Sequence, residues 1–371
     1  MGYCSDDFGR KLRIASLLAT ISVVCVHTNY LERCASGSVA WWVGNVIAFM
    51  NRWAVPYFFV VSGFFFEREF ENRNFLEYWP TFLRKKCRSL LVPYLLWGGV
   101  YGLVAMTLLK LGVAWQRGDA DIWAKTVFAQ WGSWSFVDSL LGLTHAPLIG
   151  ALWYVRVLLL VFIAAPLFVG MARVSKWVVL AAAAAIVVLS PVSGMYEERF
   201  RLFGDVVFRI KVNAIGWILL GMAAGMFRAD ESLPRKKMVG WVPFALWILF
   251  ALGPLPWLAS GRDVPQVIDV LHQIHPVFAT LALLRAAGWL SGRLPEKLPW
   301  VFSLGFWIYC IHHPITGYVG ALGNIVLGRT MLAAYAMQGV GWIATLGISV
   351  LSAWCTCRLF PRAYKILCGG R

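Results

Sequence analysis

The chain has 371 residues, of which 60% are hydrophobic and only 14% charged. A soluble domain carries about 25% charged residues, so this composition excludes a soluble enzyme and fits a polytopic membrane protein. The formal net charge is +16, but no stretch is long and polar enough to form a basic nucleic-acid-binding domain.

Twenty Trp and 24 Phe suit aromatic belts at both membrane interfaces. The eight cysteines are scattered and form no CxxC pair. Cys34 alone falls in an external loop of this reading, so no structural disulfide is expected. Carboxylates are scarce in the apolar stretches, and no metal site is expected.

The first apolar stretch runs from Leu12 to Leu31. It opens on Arg10, Lys11 and Arg13 and carries His27 near its far end. No small-residue cleavage site follows, so it reads as a retained helix. Arg13 and His27 lie roughly 21 Å apart along a helix at 1.5 Å rise. They differ by only about 40° in azimuth at 100° per residue. One face would carry a guanidinium at the membrane surface and an imidazole at depth. An ionisable group at that depth is a functional-site candidate, and burial would favour the neutral imidazole.

Spans are expected at roughly 13–31, 49–66, 89–110, 151–172, 176–194, 212–228, 239–259, 264–286, 300–322 and 334–359, each near the 20 residues a bilayer needs. Lys and Arg concentrate in the alternate segments that include Arg10, Arg84, Arg228 and Arg358. The positive-inside rule then places both termini in the cytoplasm. The segment Tyr196 to Lys211 breaks that rule with Arg199, Arg201, Arg209 and Lys211 outside. The expected architecture is an all-α membrane protein of about ten helices in a single bundle. It forms one polytopic domain over 1–371 with no separate soluble domain. Val113 to Gly150, which holds His145, is the longest external segment and could cap an outer opening.

The motifs come in chain order. VPYFFVVSGFFF, Val55 to Phe66, places a helix-kinking Pro56 and a close-packing Ser62-Gly63 pair in the second span. Arg52, just before it, is a charged residue at the outer part of that span. The run FLRKKCRSLLVPYLLW, Phe82 to Trp97, concentrates Arg84, Lys85, Lys86 and Arg88. Such density suits a phosphate-bearing ligand, although positive-inside topology alone also explains it. LWYVRVLLL, Leu152 to Leu160, holds Trp153 and an intramembrane Arg156. Neither Arg52 nor Arg156 has an obvious carboxylate partner in sequence, which points to a polar cavity open to the outside. His272 and His275 in DVLHQIHP share a face and read as polar helix contacts or cavity lining. Tyr309 and His312 in FWIYCIHHPI also share a face, with His313 directed elsewhere.

Together these pieces resemble the acyltransferase-3 family of bacterial integral membrane acyltransferases. The resemblance rests on Arg13 and His27, VPYFFVVSGFFF, the basic run before LLVPYLLW, LWYVRVLLL, GWILLGMAAG and IYCIHHPI, in that order along nearly the whole chain. The family's Arg and His are usually separated by ten residues; here thirteen intervene, close to one extra helical turn. Either Arg13 reaches further or another basic residue takes its place. The acidic residue often found before that Arg is absent, as is the frequent esterase-like domain.

The resemblance implies a membrane-bound O-acyltransferase of the bacterial cytoplasmic membrane. It would move an acyl group, most often acetyl, from cytoplasmic acetyl-CoA to a hydroxyl of a cell-surface glycan or its lipid-linked precursor. Arg84, Lys85, Lys86 and Arg88 would meet the donor phosphates, with Arg13 near the pantetheine entrance. His27 would act as general base or acyl carrier. Tyr309, His312 and Arg156 would orient the acceptor or stabilise developing charge, with Trp153 and Arg52 in the acceptor site. A carrier of small polar or acyl-bearing solutes is the alternative. It would move its substrate intact and consume no thioester.

Overall fold

The structure, a computed structural model, describes residues 6–110, 134–142, 147–193, 198–202, 206–232, 241–328 and 330–370. His145 lies outside the described residues. The helices in chain order are α1 (Asp6–His27), α2 (Val39–Asn51), α3 (Ala54–Phe70), α4 (Phe75–Lys86), α5 (Val92–Lys110), α6 (Trp134–Leu141), α7 (Trp153–Ile163), α8 (Ala165–Val174) and α9 (Lys176–Ser193). A short hairpin follows, β1 (Glu198–Leu202) and β2 (Val206–Ile210). Then come α10 (Val212–Met226), α11 (Ala229–Ser232), α12 (Val242–Leu252), α13 (Leu255–Ala259), α14 (Gln266–Ser291), α15 (Gly305–Leu327), α16 (Met331–Leu359) and α17 (Pro361–Leu367).

The chain is helical as expected, and the hairpin is the addition. It occupies the basic segment read above as an outer loop. Its antiparallel register sets Arg199 opposite Arg209.

By length and apolar composition, five helical segments can cross a bilayer: Val39–Phe70, Phe75–Val104, Val242–Ala259, Gln266–Ser291 and Met331–Leu359. A sixth is the pair Gly150–Ile163 and Ala165–Val174, bent by 63°. The expected fourth span, 151–172, falls on this bent pair. Pro166 opens α8, cannot donate to the Phe162 carbonyl and crowds it.

Other boundaries also shift. The first helix ends at His27, and the chain continues through a 3₁₀ turn at Leu31–Arg33. Pro56 stands just after the break between α2 and α3 inside the segment Val39–Phe70, where it has no N–H to give the Arg52 carbonyl. The third span is preceded by α4 and a π turn at Cys87–Leu91. Val92 N–H bonds back to the Cys87 carbonyl. Pro93 has no N–H to give the Ser89 carbonyl.

Contacts divide the chain into two compact units. Unit 1 comprises Met1–Thr81, Ile163–Glu197 and Lys211–Gly305, and unit 2 comprises Phe82–Phe162, Glu198–Ile210 and Phe306–Arg371.

In unit 1, α10 lies against α3 at backbone contact distance. A Cβ on Gly63 would stand 2.0 Å from the Ile218 carbonyl oxygen, and one on Gly221 1.9 Å from that of Val60. Small residues at both crossing points are what permit the approach, so VPYFFVVSGFFF is a packing motif. Tyr57, fully buried, sends its hydroxyl to the Leu12 carbonyl at 3.4 Å and to Ser16 Oγ at 3.2 Å. At the far end of α3, Arg68 pairs with Glu71 (2.6 Å) and with the buried Asp230 (3.4 Å), and Arg228 bridges Glu71 and Glu231. These charges tie the end of α3 to the turn after α10. Glu71 and Glu231 hold the exposed Arg228 more firmly charged than usual.

In unit 2, α17 folds back on the start of α5. Trp97 Nε1 donates to the Leu367 carbonyl at 3.2 Å. Trp307 stacks on Tyr364 and meets Trp97 edge-on.

Candidate functional site

The expected basic cluster at the start of α1 divides by role. Arg10 is committed to structure. Its guanidinium donates to Ser291 Oγ (2.8 Å) and to the carbonyls of Ser291 (3.1 Å), Leu294 (3.1 Å), Pro295 (2.8 Å) and Glu296. Those carbonyls close the C-terminus of α14, where a cation is favoured. Lys11 pairs with Asp7 one turn earlier. Arg13 is exposed and makes no hydrogen bond or ion pair among the described residues. Arg10→Ala is expected to remove about 2–3 kcal/mol of stability, since several charge-assisted bonds go while water reaches the exposed carbonyls. A lowered thermal midpoint in detergent checks this.

Beside Leu12, unit 1 encloses an apolar cavity of about 320 Å³ between α1, α3, α10 and α14. Phe8, Phe64, Ala224 and Leu284 wall it, and Thr280 also lines it. Thr280 Oγ1 is buried with no hydrogen-bond partner among the described residues. A sugar would leave most of its hydroxyls unsatisfied in such a space; an acyl chain would not.

His27 is the last residue of α1 and is exposed on the chain's surface. The helix is uninterrupted from Asp6 to His27, so the shared face and the axial separation from Arg13 stand. Just beyond His27 the backbone is held. Thr28 Oγ1 bonds the Val24 carbonyl at 2.9 Å, and Asn29 Nδ2 bonds that of Gly44 at 2.6 Å.

Arg52 has a partner that the sequence did not reveal. Its guanidinium lies 3.5 Å from Glu32 and 4.3 Å over the Phe49 ring. Phe49 meets His272 edge-on, and the His272 and His275 rings lie 4.7 Å apart. The Nδ1 atoms of both bond backbone carbonyls, of Ala251 for His272 and of His272 for His275. They are polar helix contacts, as read above.

In unit 2, the basic run straddles the end of α4 and the π turn. Arg84 and Arg88 are exposed, one turn apart, and pair with no group among the described residues. Lys86 lies over the Phe82 and Phe162 rings at 4.8 and 5.0 Å, and Lys85 is exposed.

Tyr309 and His312 are buried on α15, their ring centroids 5.9 Å apart. The Tyr309 hydroxyl donates to the Ala151 carbonyl, and its ring meets Tyr154 edge-on. His312 Nδ1 lies 2.8 Å from the Tyr309 carbonyl and 3.1 Å from that of Ile308. His313 packs on Gly150. Tyr309 and His313 brace the 3₁₀ turn Gly150–Leu152, from which half-buried Trp153 projects at the head of α7.

Arg156 is only 8% exposed and donates to the Gly142 carbonyl at the end of α6. Tyr94 bonds the preceding Leu141 carbonyl at 2.9 Å. Through this bond Arg156 holds the end of α6.

Residues 15–358 match the acyltransferase-3 family model, described as an acyltransferase domain. This chain belongs to the acyltransferase-3 family. As a family member with several helices apolar and long enough to cross a bilayer, it is a multi-pass membrane acyltransferase. It is similar to the succinoglycan biosynthesis protein ExoH of Rhizobium meliloti (strain 1021). The two are 23% identical over 377 residues, which cover 97% of this chain and 92% of that protein. No solved structure matches the chain significantly.

For this acyltransferase the sequence reading missed the Arg10 cradle, the Arg68–Asp230 clamp and the C-terminal anchor on α5. The last had one signal, Pro93 following a basic run, because a proline in a helix frees a carbonyl.

Proposed function

We propose that this protein is an O-acyltransferase of the bacterial cytoplasmic membrane, with both termini in the cytoplasm and a bundle of about ten spans. It transfers an acyl group, acetyl in the first instance, from cytoplasmic acetyl-CoA to a hydroxyl of a cell-surface glycan or its lipid-linked precursor. The observation that carries the reading is α1 itself. One uninterrupted helix bears an unpaired Arg13 at one end and an accessible His27 at the other, in a chain whose family transfers acyl groups. The polysaccharide acceptor is favoured by the succinoglycan role in the relative's name.

In this reading Arg84, Lys85, Lys86 and Arg88 meet the donor phosphates. Arg13 meets the donor near the entrance of its pantetheine arm. The hydroxyl oxygen bonds to the acyl carbon, and the carbon–sulfur bond breaks. His27 Nε2 or Nδ1 takes the hydroxyl proton and returns it to the CoA thiolate. An acyl-His27 relay between the two membrane faces is the variant of this step. Tyr309, His312 and Arg156 are positioning residues, since their polar atoms engage backbone carbonyls. They would shape the acceptor end of unit 2 around Trp153, and Arg52 is a candidate acceptor-binding cation within unit 1.

Arg84→Gln with Arg88→Gln is expected to raise the KM for acetyl-CoA about tenfold with kcat nearly unchanged, because uniform donor binding is lost. Steady-state kinetics in nanodiscs checks this. An unchanged KM removes both from the donor site.

A further inference from the structure

The C-terminal segment presses on the basic run more closely than packing alone requires. Helix α17 ends in a Gly-terminated turn. Gly369 N–H bonds the Ile366 carbonyl at 2.9 Å, and Gly370 N–H bonds that of Lys365 at 2.8 Å. Gly369 has φ of +68°, and a Cβ there would stand 2.2 Å from the Ser89 carbonyl oxygen. Ser89 follows Arg88 and belongs to the π turn. Its carbonyl is the one that Pro93 leaves without a helical donor. The tail therefore seats where the helix is open, and only glycine fits there. Trp97 and Trp307 hold the other side of α17.

This seating has an electrostatic consequence. Arg362 and Lys365 are exposed, three residues apart on one face of α17, and pair with no group among the described residues. Arg88 and Lys365 are linked through a single contact, Ser89 on Gly369, and one hydrogen bond, Gly370 to Lys365. The sequence has no Asp or Glu between Phe82 and Gly118, nor between Phe306 and Arg371. Cations that merely attract a bilayer surface need no fixed geometry. Here two cation-bearing segments are held together with no Asp or Glu side chain in either, and a bound polyanion would offset their mutual repulsion.

We propose that α17 completes the donor site: Arg362 and Lys365, held against the π turn by Gly369, bind the phosphates of the CoA nucleotide together with Arg84 and Arg88. The inference rests on the acyl-CoA reading above and adds a second chain segment to it. Anionic lipid headgroups share the phosphate chemistry and are the competing source.

The test is binding of CoA, and of 3′,5′-ADP as its nucleotide fragment, to the full-length protein in nanodiscs of neutral lipid. Wild type is compared with Arg84→Gln/Arg88→Gln, with Arg362→Gln/Lys365→Gln and with Gly369→Val. All three variants should weaken both probes about tenfold. Gly369→Val should do so with every charge intact. The Arg362/Lys365 variant should raise the acetyl-CoA KM and leave kcat unaltered, which a purely structural tail would not produce. If the Arg84/Arg88 variant weakens binding and the Arg362/Lys365 variant does not, the tail is outside the site and the inference fails while the donor reading survives. If neither weakens it, this face does not bind the donor and both fail. Loss of co-purifying phosphatidylglycerol from the Arg362/Lys365 variant, with CoA affinity intact, assigns the patch to lipid and also overturns the inference.

Discussion

Replacing His27 by alanine is expected to lower acyl transfer by about 10²–10⁴-fold, the usual contribution of a positioned general base, while the protein remains folded in the membrane. The folding half follows from position. His27 is exposed at the end of α1, and the turn beyond it is held by Thr28 and Asn29, so no packed core is opened. The chemical half follows from the inventory of histidines in the described spans. His272 and His275 are buried and bonded through Nδ1 to backbone carbonyls, and His312 is buried on α15. His313, the fifth described histidine, is half-buried on α15, so His27 alone of the five is exposed, and it stands at a helix end. Size-exclusion profile and thermal midpoint should match wild type. If label from acetyl-CoA stays on the wild-type protein but not on the variant, the relay is favoured over direct base catalysis. Transfer at the wild-type rate by His27→Ala would remove the residue from the mechanism.

The largest structural effect is expected at Gly221. A valine there would drive its Cβ to 1.9 Å from the Val60 carbonyl and 2.9 Å from the Phe64 amide. Both are backbone atoms of α3, so no rotamer change relieves the clash. Overpacking with flexible neighbours costs about 1–3 kcal/mol. Here two helices must separate along the closest contact of unit 1, and the cost should exceed that range. Gly170→Val is the control, since nothing lies within 4 Å of a Cβ at Gly170. Fluorescence-detected size exclusion should show loss of the folded peak for Gly221→Val and a normal peak for Gly170→Val. A normal peak with an unchanged midpoint for Gly221→Val would contradict the packing account.

What was legible in the sequence was local. Apolar length marked most helices, Ser62-Gly63 marked a close crossing, and the order of weak motifs pointed to the family. What was not legible depends on groups that sequence does not label. Arg156 reads as functional because an arginine inside a membrane is costly, but its partner is a backbone carbonyl, and every residue has one. Arg10 looked equivalent to Arg13 until carbonyls from Ser291 to Glu296 were brought beside it. Arg52 appeared unpaired because Glu32 lies in a short turn that was read as loop. The first span was read to Leu31, whereas α1 stops at His27: Thr28 bonds back to the Val24 carbonyl, and Asn29 reaches forward to that of Gly44. The 63° bend after α7 was in principle readable from Pro166.

The central claim is that a thioester is consumed and its acyl group appears on a glycan. The most direct test gives purified protein in nanodiscs acetyl-CoA labelled in the acetyl group, with a membrane glycolipid extract, and measures released CoA and label in the glycan fraction together. The account predicts equal amounts of both, dependent on His27. Intact labelled solute taken up by proteoliposomes, with no CoA released and no label on glycan, would contradict it.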